Sequence, residues 1–124
     1  MIYKLEAYSL YKERYTEMNN FGDFLRKEIS KNNLSQNKFA EKIGVSSYYV
    51  GQLIKGEKRP PSREVQLKIV DALNFNESKK IQFFDLIAKE KSDIPSDIYD
   101  GVIKNKEKWN EVRKILNKGE EKYD

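Results

Sequence analysis

The chain has 124 residues, a length that allows one domain plus appendages. Lys and Arg outnumber Asp and Glu by 24 to 20, and the resulting net charge of +4 is too modest for a nucleic-acid coat protein. With no Cys and no His, the composition excludes disulfides, thiolate metal sites and the commonest general base; the chain reads as neither an enzyme nor a cofactor carrier.

Residues 1–20 are rich in tyrosine. Leu5, Tyr8, Tyr11, Tyr15 and Met18 recur at three- and four-residue steps, the spacing of an amphipathic helical arm. The plain reading packs that arm on its own domain. The sharper one makes Tyr8, Tyr11 and Tyr15 anchors of a dimer or partner interface, where aromatic residues are enriched. A third reading takes Met18 as the start of the native chain. Asn19 and Asn20 then break the pattern, and a helix follows to about Asn32 with Phe21, Phe24, Leu25 and Ile29 inward. Asn32 and Asn33 close it, because asparagine tolerates a left-handed residue.

The stretch Leu34 to Ser62 carries the most specific pattern. Ser35 stands where an N-cap is needed, and Phe39, Ala40 and Ile43 fall on one face of the helix it starts. Gly44 ends that helix and Val45 plugs the turn. Ser46 caps a second helix that runs to about Lys55 and stops at Gly56, with Tyr49, Val50 and Leu53 inward. The opposite face shows Ser47, Tyr48, Gly51, Gln52 and Lys55, of which Tyr48, Gln52 and Lys55 share one edge at i, i+4 and i+7. Gln pairs with adenine edges, hydroxyls bond to most bases, and Lys finds guanine or phosphate. A glycine at position 51 implies close approach of its backbone to DNA or to the neighbouring helix. From Lys55 to Arg63 the chain carries four cations and one acid. Two short helices, a glycine turn and a basic loop form the layout of a helix-turn-helix DNA reader.

Pro60 and Pro61 force an extended path, and Ser62 is placed to cap a helix from Arg63 to Leu73 with Val65 or Leu67, Ile69, Val70 and Leu73 inward. Asn76 caps the next, in which Ile81, Phe84 and Ile87 form a stripe with Phe83 and Leu86 beside it. From Ser92 the texture changes. Ser92 to Ser96 is a helix break, Ser96 is placed to cap a short helix over 97–104, and Lys108 to Asn117 form a last one. In that last helix Val112, Ile115 and Leu116 are expected to face inward beside Trp109, a docking anchor. Two such short helices cannot bury enough surface to fold alone, so the tail must dock on the domain, a twin subunit or another protein.

The residues Ser35-Gln36, Phe39-Ala40, Ile43-Gly44-Val45-Ser46, Tyr49-Val50, Gln52-Leu53 and Gly56 resemble the lambda-type phage repressor and xenobiotic-response-element (Cro/C1-type) regulator family. Lys58-Arg59, Pro61-Ser62, Leu67-Lys68-Ile69 and Ala72-Leu73 extend the likeness, which covers about 21–75. The resemblance implies an all-α, five-helix repressor-like domain; with the residue pattern it gives a DNA-binding domain over 21–91, preceded by the N-terminal helical arm (1–20) and followed by a short C-terminal helical tail (92–124). It also implies that Ser47, Tyr48 and Gln52 read base edges, that Gln36, Lys55, Lys58, Arg59 and Arg63 hold phosphates, and that the region of Phe84 and Ile87 contributes to a homodimer. Two departures stand out: Ile54 occupies a position where these regulators usually carry glutamate, and the loop Glu57–Pro61 is one residue longer than the commonest form.

The expected function is a cytoplasmic, sequence-specific double-stranded DNA-binding regulator, in the first place an autoregulating repressor on a palindromic operator. The alternative is an antitoxin or inhibitor from a mobile element, holding a partner protein through the tyrosine arm or through the tail around Trp109. No apolar run approaches the length of a membrane span, and no membrane partner is expected.

Overall fold

The structure is a computed structural model that describes residues 20–118. The tyrosine arm, with Tyr8, Tyr11 and Tyr15, lies outside the described residues. The fold is all-α: α1 (Phe21–Lys31), α2 (Gln36–Ile43), α3 (Ser47–Lys55), α4 (Arg63–Ala72), α5 (Glu77–Lys91), α6 (Ser96–Lys104), a 3-10 turn (Lys106–Lys108) and α7 (Trp109–Asn117). No strand occurs among the described residues.

Local chemistry sets most of the boundaries. The side chains of Asn20, Ser35, Ser46 and Asn76 each accept the backbone N–H three residues on, satisfying a donor that the helix start leaves without a partner. Two expected caps work differently. Ser62 occupies the N-cap position of α4 but its hydroxyl makes no capping bond. Ser96 lies inside α6, buried, with Pro95 as the cap residue. Its hydroxyl donates instead to Gln66 Oε1 at 2.6 Å, because a buried amide oxygen needs a donor more than a half-exposed helix end does.

One core joins α1 to α5. Phe21, Phe24, Phe75, Phe83 and Phe84 form a ring cluster, with Phe75 and Phe83 centroids 5.3 Å apart and Phe83 and Phe84 5.5 Å apart. Such pairs add about 0.5–1.5 kcal/mol each beyond their buried area. Leu25, Ile29, Phe39, Ile43, Val50, Leu53 and Ile69 complete the interior. Glu28 is also buried, and its Oε1 lies 3.0 Å from Lys79 Nζ on α5 and 3.4 Å from Lys31 Nζ. The carboxylate is thereby neutralised, which a buried charge requires.

Most of the wide apolar face of α5 is covered within the chain itself. Phe84 and Ile87, expected at a dimer contact, are 4% and 2% exposed inside the chain's own core. The physical reason is that α1 and α6 both pack on α5, so Phe83, Phe84, Leu86 and Ile87 are covered by helices of the same chain. Ile81, from the same expected stripe, points outward and is 51% exposed.

The tail folds back on the domain only in its first half. Trp109 is half-buried, and its indole N–H donates to the Val102 carbonyl at 2.6 Å, which ties α7 to α6. The expected inward residues Ile115 and Leu116 are instead 72% and 74% exposed, because no element of the domain reaches α7 far enough to cover them.

Gly22 fixes how α1 crosses α3. A Cβ there would lie 3.0 Å from the Leu53 carbonyl oxygen, 2.9 Å from the Ile54 carbonyl carbon and closer still to the Ile54 oxygen. Backbone cannot yield as a side-chain tip can, so Gly22→Ala is expected to cost about 1–3 kcal/mol, the usual range for overpacking. Gly101, exposed on α6 with open space around it, should behave in the opposite way. Gly101→Ala is expected to stabilise by about 0.5–1 kcal/mol through helix propensity. Chemical denaturation followed by circular dichroism measures both, and a Gly22→Ala chain as stable as the natural one would contradict the crossing described.

Candidate nucleic-acid interface

The helix-turn-helix is built as its capping residues dictate. Gly44 and Gly56 take left-handed backbone at φ 72° and 77°, closing α2 and α3 where a side chain would be strained. Between the helices the Val45 N–H bonds the Ala40 carbonyl at 3.0 Å, and the Val45 side chain packs on the core. Val50 and Leu53 turn the inner face of α3 into the interior. Tyr49 is half-buried beside them, and burial pushes its hydroxyl pKa up.

The outer face of α3 is as the 3.6-residue spacing requires. Tyr48 is 75% exposed, Lys55 is exposed, and Ser47 and Gln52 are half-exposed. Tyr48, Gly51, Gln52 and Lys55 line one shallow depression together with Gln36 of α2 and Glu57. Gln36 bridges the two helices. Its Nε2 donates to the Ser47 carbonyl at 2.8 Å, with the Ser47 hydroxyl oxygen at 3.4 Å. A Cβ on Gly51 would stand 3.1 Å from that same Nε2, so the glycine accommodates the neighbouring helix's side chain.

Past Gly56 the Glu57 N–H bonds the Gln52 carbonyl at 2.9 Å, and Lys58 and Arg59 emerge exposed. They border a second depression with Asn20, Phe21, Gly22 and Glu90, at the start of α1. Pro60 and Pro61 are buried behind them. Two exposed cations on a short loop beside an exposed polar helix edge make a surface suited to a polyanion that also presents hydrogen-bonding edges.

Arg63 does not belong to this surface as expected. Its guanidinium lies 3.0 Å from Asp93 Oδ1, reaches the Ile94 carbonyl at 3.4 Å and stacks over the Tyr99 ring with its carbon 3.9 Å from the centroid. A carboxylate, a carbonyl and an aromatic face fixed in one place hold a planar cation better than solvent does. The Arg63 site is therefore corrected from a free phosphate grip to an internal clamp between α4 and the start of the tail. Trp109, expected at a partner contact, likewise serves within the tail.

Sequence reasoning passed over Gly22, Glu28 and Gln66. A signal existed for the last two. Glu28 lies seven residues from Phe21 and four from Phe24, and Gln66 lies three and four from Ile69 and Val70, so each polar side chain sits on an apolar stripe. Gln66 is buried with both ends of its amide satisfied, by Ser96 and by the Pro61 carbonyl at 2.9 Å.

Fold and surface together define a helix-turn-helix DNA-binding protein. A helix-turn-helix family model matches residues 25–79; that match supports a Cro/C1-type helix-turn-helix and with it a DNA-binding transcription regulator. No curated protein and no solved structure matches the chain.

The Asp93 carboxyl is held below its ordinary pKa, chiefly by the Ile94 backbone N–H at 2.7 Å and further by the Arg63 and Lys91 charges. A depressed folded-state value means that the clamp contributes at neutral pH and is lost as pH falls through that value. An NMR titration of the Asp93 side-chain carboxyl should place its midpoint below the usual Asp range, with the Tyr99 ring signals shifting in the same step. A midpoint at or above that range would contradict the clamp.

Proposed function

We propose that this regulator is a repressor that binds a near-palindromic operator, its own promoter included, as a homodimer. The observation that carries the reading is the single exposed edge of Tyr48, Gln52 and Lys55 lying beside the exposed Lys58–Arg59 loop. In this reading Ser47, Tyr48 and Gln52 contact base edges in the major groove, with Gln52 bidentate on adenine. Lys55, Lys58 and Arg59 neutralise phosphates, and Gln36, pinned to Ser47, sets the angle of α3 and meets the adjoining phosphate. Two-fold symmetry would put the paired reading helices about 34 Å apart on successive major grooves. Occupying a promoter in that way is enough to block it.

A second reading is favoured by one observation: Ile98, Ile103, Ile115 and Leu116 leave the tail with exposed apolar side chains. An antitoxin or inhibitor that holds a partner protein through this tail, while the same DNA-binding surface silences its operon, would use them. Co-purification of the product of the neighbouring gene would favour it; a tagged chain recovered alone from its native host would count against it.

Two substitutions separate the proposed roles. Lys58→Ala is expected to weaken binding to every duplex alike and to flatten the salt dependence by about one phosphate contact. Gln52→Ala is expected to cost roughly 1–3 kcal/mol on the operator and nothing on random DNA. Gel-shift titration on the DNA upstream of the gene, with random duplex as competitor, reads both. Equal losses on both kinds of DNA for Gln52→Ala would remove Gln52 from the base-reading set.

A further inference from the structure

The far foot of the basic loop is tied into the tail. The Pro61 carbonyl accepts hydrogen bonds from the buried Gln66 amide at 2.9 Å and from the Lys91 ammonium at 3.3 Å. Ser96 determines which end of that amide faces Pro61, because its hydroxyl holds Gln66 Oε1 at 2.6 Å and leaves the NH2 end to the loop. Two residues beyond Pro61, Arg63 is clamped by Asp93, the Ile94 carbonyl and the Tyr99 ring. The near foot is closed by the Glu57–Gln52 backbone bond. Lys58 and Arg59 thus ride on a short arch, one end of which is held by the reading helix and the other by Gln66 and Lys91, with Ser96 behind Gln66.

We infer that residues 93–99 brace the phosphate-gripping loop. Ser96, acting through Gln66, and Asp93 and Tyr99, acting through Arg63, are positioning residues that keep Lys58 and Arg59 in the shape that meets DNA. A loop already held in its bound shape loses less conformational freedom on binding, so the brace raises affinity without touching the ligand. It also couples the two parts of the chain. Whatever displaces α6 from the domain loosens the loop, and DNA that engages the loop stabilises the docked tail by the same factor. The inference rests on the reading of Lys58 and Arg59 as phosphate grips.

The test uses the full chain and fluorescence anisotropy on a short labelled duplex of random sequence, over a series of salt concentrations. Ser96→Ala is expected to bind about three- to tenfold more weakly, with a flatter salt dependence. In a chain already carrying Lys58→Ala and Arg59→Ala, adding Ser96→Ala should cause no further loss. A merely structural role for Ser96 would not produce that non-additivity. Asp93→Asn, at an exposed position, decides by sign. Removing a negative charge beside a basic loop tightens DNA binding if charge alone matters, whereas the brace requires weaker binding. Tighter binding by Asp93→Asn overturns the brace, as does an equal Ser96→Ala loss with and without the two loop cations. If the Lys58→Ala, Arg59→Ala chain binds with unchanged affinity and salt dependence, the phosphate reading fails and the brace with it. A flattened salt dependence in that chain beside undiminished binding by Ser96→Ala overturns the brace alone. Should Ser96→Ala not fold, Asp93→Asn carries the decision.

Discussion

The proposed DNA-facing side of this protein hangs on a crossing of two backbones. At Gly22 the first turn of α1 meets the last carbonyls of α3 with no side chain between them. The contact sets the partly positive start of one helix against the partly negative end of the other, an arrangement the two peptide dipoles favour. A helix of nine residues such as α3 has little stability of its own, so its place is decided by what it leans on. Gly22 holds its end, Gln36 holds its beginning, and Val50 and Leu53 hold its underside. The edge left over faces outward by default.

The polar groups taken into the interior follow one rule, which is that each arrives with its partner. Glu28 meets Lys79 and Lys31, and Gln66 meets Pro61 and Ser96. An apolar replacement at either position would fill space equally well, but it would not dictate which element packs where. Glu28 links α1 to α5, and Gln66 links the basic loop to the tail, so the two specify connections between segments distant in sequence.

Much of the arrangement could be read from the residue order, and where the reading failed the reasons are physical. Capping serines, asparagines and the two left-handed glycines act within four residues of themselves, and they marked the starts and ends of α2 and α3 correctly. The inward faces of those helices followed from period alone. Ser62 and Ser96 misled because a capping residue is recognised by its neighbours in sequence, while Ser96 was claimed by an amide 30 residues away. Phe84 and Ile87 misled because an apolar surplus on a helix does not say whether a second chain or a later helix of the same chain will cover it. Arg63 misled because its place in a basic run concealed an acid that follows it by 30 positions and a ring that follows the acid by a further six. In the exposed site, what could be read was the set of side chains on one edge of α3. The strut from Gln36 to Ser47 that orients them could not be read.

The one tryptophan of the chain, Trp109, stands in the segment least attached to the domain. Its indole is held by a carbonyl of α6 and lies apart from the phenylalanine cluster that joins α1 to α5. Emission from that indole therefore reports on the hinge between the last two helices, while far-ultraviolet dichroism is dominated by the helices of the main domain. The two signals are optically independent. The chain carries its own means of telling whether its last helix and its domain come apart in one step or in two.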